Sequence, residues 1–262
     1  MLLLISGALT AGKYVSQRST ESRSQAAGGQ RYIVCPSGSP GANGCDFVGL
    51  AGLQQGIDRV PSDSTFLMKP GVYKFTEKVL YQANGTNEIF ESGLLLNSNK
   101  TISIIGEGDV VMDGKYYSGL DLDAAILIAA GSLTIEGITI TNFHHYGTLS
   151  LVNSNLTIKN SVVKNGSNNG IAHSSNGTLK VEKSTIKDVK ESGIIAIGGT
   201  AIIDGNSVSS VQKNNGSRAH GIDCGVSSKW WAVKHRAILL CKSRGYDSQQ
   251  PVCAKTTRAV ID

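Results

Sequence analysis

Lys164 and Lys187 stand 23 residues apart, each six positions before a glycine, Gly170 and Gly193. A third glycine, Gly147, keeps the same step, and Thr141 lies six before it. Three positions before these glycines come His144, Ser167 and Lys190, and Arg218 holds that place before Gly221, after a longer loop. If the chain stacks these positions, Lys164 meets Lys187 directly, and like charges opposite each other are unfavourable. An anionic group between them, such as a uronate carboxylate, would turn that cost into binding. His144, His145 and His220 belong to the same edge of the repeats. An imidazole can give or take a proton near neutral pH while Lys or Arg stabilises charge developing on a uronate, which is the logic of β-elimination. The plainer reading is that the lysines spread into water beside Asp188 and Glu191 and that the loop histidines are solvated. His173 is expected to face inward or to end a strand.

Glycoside hydrolysis would need paired carboxylates. Asp121 and Asp123 form the best pair, with Asp113 in the preceding turn. No ligand set for a metal stands out, and no motif for an organic cofactor. Cys35 and Cys45 bracket "PSGSPGANG" with no His or second CxxC nearby, which argues against zinc and for a small disulfide loop.

What must position these residues is a repeat. "NLTIKNSVVKNGSNNGI" (155–171) is echoed by "TLKVEKSTIKDVKESGI" (178–194), and Leu133, Leu156 and Leu179 follow at 23-residue steps, with Ala201 another 22 along. In the second unit Leu156, Ile158 and Val163 alternate with Thr157, Lys159, Val162 and Lys164, the period of a half-buried strand. Asn160, Asn165-Gly166 and Asn168-Asn169-Gly170 break the runs with residues that tolerate positive φ. Three strands and three turns in each 22–23 residues, with no helical stripe, predict an all-β solenoid, a parallel β-helix. Five Asn-Gly pairs leave an antiparallel meander as the rival. Charge argues against it, because one outward position reads Glu136, Lys159, Glu182, Asp204, and stacking makes the first three an alternating ladder.

With these residues in view, "GLAGLQQGIDRVPSDSTFLMKPGVYKF" (49–75) resembles the opening of pectate-lyase-like right-handed β-helix proteins: a short N-terminal capping helix, a polar turn, a strand, then Pro70-Gly71-Val72-Tyr73. "ISIIGEGDVVMDG" (102–114) is similar to the rung that follows. The likeness runs over roughly residues 31–223 and implies a right-handed parallel β-helix. It implies little about chemistry, since that superfamily holds lyases, hydrolases, epimerases, phage tailspikes and surface proteins. The polygalacturonase-like set of Asn-x-Asp, Asp-Asp, Gly-His-Gly and Arg-x-Lys has no match, and the acidic cluster of calcium-dependent pectate lyases is not recognisable, so no catalytic residue is carried over.

The net charge of +5 invites a nucleic-acid reading that its distribution withdraws. Residues 225–262 hold seven Lys/Arg against two acidic residues, and the other 224 residues are balanced at 18 of each. That tail also contains both tryptophans, and three of the five cysteines occur from Cys224 onward. The rung phrase ends at "HGID", so 225–262 reads as a cap, or as the product of a truncated gene or shifted frame, following a helix domain over 31–224. Residues 1–30 read as the remnant of an export signal, "MLLLISGALTAG", and a polar linker, with an apolar run too short to span a bilayer. Together with Cys35 and Cys45 this predicts secretion or a cell-surface location. Two functions follow: a lyase or epimerase acting on an acidic polysaccharide, or a noncatalytic adhesin-like scaffold presenting loops to a glycan. Oligomeric state is not encoded in these patterns.

Overall fold

The computed structural model describes residues 29–41, 44–83, 87–116, 122–213, 219–224, 229–234 and 237–239, with backbone alone for Cys224 and from 229 on. The expected signal remnant, nearly all of the polar linker and most of the basic tail lie outside these residues. The chain winds as a coil with three walls of stacked, mostly parallel strands. The first wall is built from Arg31–Cys35, Ser64–Met68, segment 102–106, segment 132–136, Asn155–Lys159, Thr178–Glu182 and Thr200–Asp204. The second stacks Gly71–Lys74, segments 110–113 and 138–141, Val162–Lys164, Thr185–Lys190 and Ser207–Gln212. The third stacks segments 89–97 and 124–130, Tyr146–Val152, Asn169–Ser175, Ser192–Ile197 and His220–Cys224.

The repeat in the sequence is the register of the walls. Leu156 pairs with Leu133 below and Leu179 above, and Ala201 continues the column. All four are buried at 3% exposure or less, in one core cluster with Ile135, Ile158 and Val181 of the same wall and with the second wall's inward column Tyr73, Met112, Ile140, Val163, Ile186. The marker glycines stack because the backbone passes close to itself there. A Cβ on Gly170 would lie 2.6 Å from the Gly193 carbonyl oxygen and 2.8 Å from Ile186 Cγ2. The corner between the second and third walls is turned by Asn142, Asn165, Asp188 and Ser210, all at φ between 51° and 57°. The two asparagine side chains form a short ladder in which Asn142 Nδ2 donates to Asp113 Oδ1 (2.7 Å) and Asn165 Nδ2 to Thr141 Oγ1 (3.2 Å).

Helix α1, Gly49–Arg59, closes the lower end with Leu50, Leu53 and Ile57 turned into the core. Gln54 from the same face completes the cap. Its amide accepts from Leu95 N–H (2.8 Å) and donates to Leu95 C=O (3.0 Å), standing in for the strand that the lowest rung lacks. Cys35 and Cys45 form the expected disulfide, with Cα atoms 5.8 Å apart.

Three features differ from the sequence reading. Antiparallel pairing is present locally, between Val79–Gln82 and segment 89–92 and between Lys229–Lys234 and Ala237–Leu239, while the rest is parallel. The charge column is in register, Glu136 against Lys159 and Lys159 against Glu182, but Glu182 closes its ion pair with Lys180 (2.9 Å) on its own strand. Both side chains are partly solvated, so either pairing contributes little and water decides the rotamers. Finally, the winding outlasts the recognisable phrase. Lys229–Lys234 adds a parallel strand over Thr200–Asp204, because pairing is made by backbone groups and "KWWAVK" has high strand propensity without repeating the earlier letters.

Candidate functional site

The lysines predicted to stack do so. Lys164 pairs with Lys187, with Thr141 below and Ser209 above, all on the outward side of the second wall. Lys187 keeps a 4.0 Å contact with Asp188, and both side chains are more than 40% exposed, so this acid offsets only part of the charge. Lys190 lies further along the same strand, over the corner, where its N–H donates to Asn168 C=O (3.0 Å) and it pairs with Gln212. Arg218 lies outside the described residues.

The histidines do not converge. His144 is exposed and His145 half-buried, their rings meeting edge to face at 4.5 Å in the corner loop that follows Asn142. His220 begins the topmost third-wall strand. Three rungs separate it from Tyr146, a distance of about 14 Å at the usual strand spacing. One bond in a bound glycan therefore cannot be served by His145 and His220 together.

What links the two ends is a column that the offsets of six and three residues pass over. Tyr146, Asn169, Ser192 and His220 each stand one residue before a marker glycine, and they pair rung on rung. The step from Asn169 to Ser192 follows from the flanking pairs Ile171 with Ile194. Counting back one position would have found it. Tyr146 packs against an apolar cluster on the outer side of the third wall, made by Tyr81, Leu95, Leu127, Leu149 and Ala172. Burial raises its phenol above the ordinary value, and the nearby Glu191 and Asp123 carboxylates add to the rise. At neutral pH Tyr146 is thus a proton donor and not a base. Asp123 itself is held in place, accepting from Glu91 N–H at 2.8 Å, and Glu91 meets Lys78 at 2.5 Å. Asp113 is taken by Asn142 and by Lys115 N–H (2.9 Å), so it belongs to the corner and not to a carboxylate pair with Asp123. Asp121 lies outside the described residues. Among the described residues no group of three or more His, Cys, Asp or Glu side chains is placed to hold a metal ion. No helix among them is long and apolar enough to cross a membrane.

His173 faces the interior, 1% exposed, with Nδ1 2.6 Å from Ser150 Oγ. Burial pushes its imidazole below the ordinary value, the Gly177 backbone opposing. The unfolded chain therefore binds a proton before the folded one does. The stability His173 contributes is complete above about pH 6.5 and is lost as pH falls through the lower folded value, by at most about 1.4 kcal/mol per pH unit. Urea titrations between pH 7.5 and 5 are expected to show this decline, and His173→Gln to flatten it.

The arrangement of three walls around one apolar core is matched by known proteins. The sequence profile of the family described as "Right handed beta helix region" covers residues 73–224, more than half of the chain. The chain belongs to the right-handed β-helix family. Among solved structures, this β-helix is similar to the pectate lyase Pel9A, with a TM-score of 0.51 and 13% identity over 78% of this chain and 62% of that one. It is also similar to a rhamnogalacturonan lyase, with a TM-score of 0.47 and 11% identity over 78% of this chain and 67% of that one. The chain thus spans about three-fifths of the length of the pectate lyase. No curated protein matches its sequence. At these identities the likeness is one of fold.

Proposed function

We propose that this β-helix is an exported protein that binds an acidic polysaccharide across the corner between its second and third walls and acts on it as a lyase or epimerase. The observation that carries this reading is Lys164 directly over Lys187, a pair of like charges kept in register with Thr141 and Ser209 as their column neighbours. Such a pair suits carboxylates repeated along a chain laid over the rungs. In β-elimination a base removes the proton α to the uronate carboxylate, lysine neutralises the charge that builds there, and an acid protonates the departing glycosidic oxygen. His144 or His145 supplies the base and Tyr146, kept protonated, the acid. His220 and Lys190 lie further along and serve binding. The β-helix of pectate lyase Pel9A makes pectate a ligand to test, and the Cys35–Cys45 disulfide suits an oxidising compartment.

A second reading, a noncatalytic surface scaffold, is favoured by the separation of His144 and His145 from His220. One experiment distinguishes them. The protein is incubated with pectate, alginate and glycosaminoglycans, and unsaturated uronates are followed by ultraviolet absorbance, with deuterium uptake from heavy water reporting epimerisation. Either signal supports the enzyme. Binding with neither signal supports the scaffold, and no binding to any of these polymers removes the polysaccharide reading.

A further inference from the structure

The outer side of the third wall is not left to water. Leu95, Leu127, Leu149 and Ala172 pair there rung on rung, and none is more than 8% exposed. They share a cluster with the antiparallel ribbon that Val79–Gln82 makes with segment 89–92, whose Tyr81 and Phe90 rings lie 6.4 Å apart between centroids. Tyr146, half-buried, packs against the same cluster. A two-stranded ribbon is marginal by itself in water, so this one depends on what fastens it to the coil.

The fastening runs through one residue. Asp123 Oδ2 accepts Glu91 N–H (2.8 Å), and Asp123 N–H donates to Glu91 C=O (2.8 Å), so the ribbon is held by both backbone groups of Glu91. The Asp123 carbonyl in turn accepts Tyr146 N–H (2.9 Å) from the next rung. Lys78 meets the Glu91 carboxylate at 2.5 Å and closes the base of the ribbon. Any residue could supply the two backbone bonds. Only a side chain with an acceptor satisfies Glu91 N–H, and an apolar one would leave that donor unpaired. We infer that Asp123 is a positioning residue, fastening the ribbon to the third wall and so holding the Tyr146 ring against the outer cluster. For its effect on turnover the inference rests on the reading of Tyr146 as the acid, and for the ribbon and the ring it stands alone. A carboxylate that the sequence offers as half of a hydrolytic pair acts here through the tyrosine.

Two variants separate the charge of Asp123 from its hydrogen bond. Asp123→Asn keeps an oxygen for Glu91 N–H and removes the charge, and Asp123→Ala removes both. Neither needs a glycan to be read. Glu91 N–H is expected to exchange with heavy water about tenfold faster in Asp123→Ala and at the parent's rate in Asp123→Asn. Nuclear Overhauser contacts from the Tyr146 ring to methyls of the outer cluster, assigned with Tyr146→Phe, are expected to weaken in the alanine variant alone. The Tyr146 phenol, followed by its ring ¹³C shift, is expected to titrate lower in both variants, since each loses a carboxylate beside it. On a polymer that the parent turns over, Asp123→Ala is expected to lower kcat about tenfold with KM little changed, and Asp123→Asn to restore most of it. Should Asp123→Ala not fold, Asp123→Ser, one bond shorter than the native side chain, takes its place. Parent-like Glu91 exchange, unchanged Tyr146 ring contacts or an unchanged kcat in that variant overturns the inference, as does a phenol that titrates as in the parent in both. A parent inert on every polymer counts against the lyase or epimerase reading, while exchange and ring contacts still decide the positioning.

Discussion

Leu156→Ala is expected to lower the unfolding free energy by about 2–5 kcal/mol, a loss measurable by urea denaturation. The magnitude within that range depends on whether neighbours can close the gap, and here they are held open. Leu156 is fully buried between Leu133 and Leu179, and each belongs to a strand whose backbone pairing fixes its height on the coil. A rung cannot settle into the void without slipping its register on the first wall and, through the two-residue turns, on the second. The effect is therefore placed near the upper end. Lys159→Ala, three residues away and facing out, serves as the control and is expected to change stability by no more than about 0.5 kcal/mol. A Leu156 loss as small as that of Lys159 would mean the leucine is not enclosed by the rungs above and below.

The second large effect is on binding. Lys164→Ala together with Lys187→Ala is expected to weaken association with the best-bound acidic polysaccharide about 100-fold, roughly tenfold for each charge-assisted contact removed. Affinity of the parent should also fall as added salt shortens the screening length. Lys180 makes a suitable control. It lies on the first wall, already paired with Glu182, and Lys180→Ala should leave binding nearly unchanged. Isothermal titration of the three proteins at two salt concentrations reads all of this at once. Equal affinity of parent and double variant would move the ligand off the second wall.

The fold could be read from the letters because in a solenoid one period writes both sequence and space. Leu133, Leu156 and Leu179 share a column for the same reason that they share a spacing, and the glycines mark where one coil rubs on the next. The pairing of Lys164 with Lys187 was legible for that reason too. Less of the site was legible where loops break the period. His220 arrives after a longer loop, so grouping it with His144 and His145 by proximity to an edge ignored the three rungs between them. The Tyr146, Asn169, Ser192, His220 column obeyed the period but mixes residue types, and no single letter announces it. Side-chain ion pairs were the least predictable. Register fixes which Cα atoms face each other, but not whether a lysine such as Lys159 or Lys180 reaches across or along the strand. His173 faces the interior, one of the two places expected for it, but its contact with Ser150 is a side-chain detail that the spacing does not give.

The central claim is that one parallel register stacks the rungs, and methyl nuclear Overhauser spectroscopy on leucine-labelled protein tests it without altering the chain. The account predicts cross-peaks from Leu156 methyls to those of Leu133 and of Leu179, with the Leu133 to Leu179 contact weak or missing. Leucines without mutual contacts, or Leu156 meeting only one of the two, would contradict it.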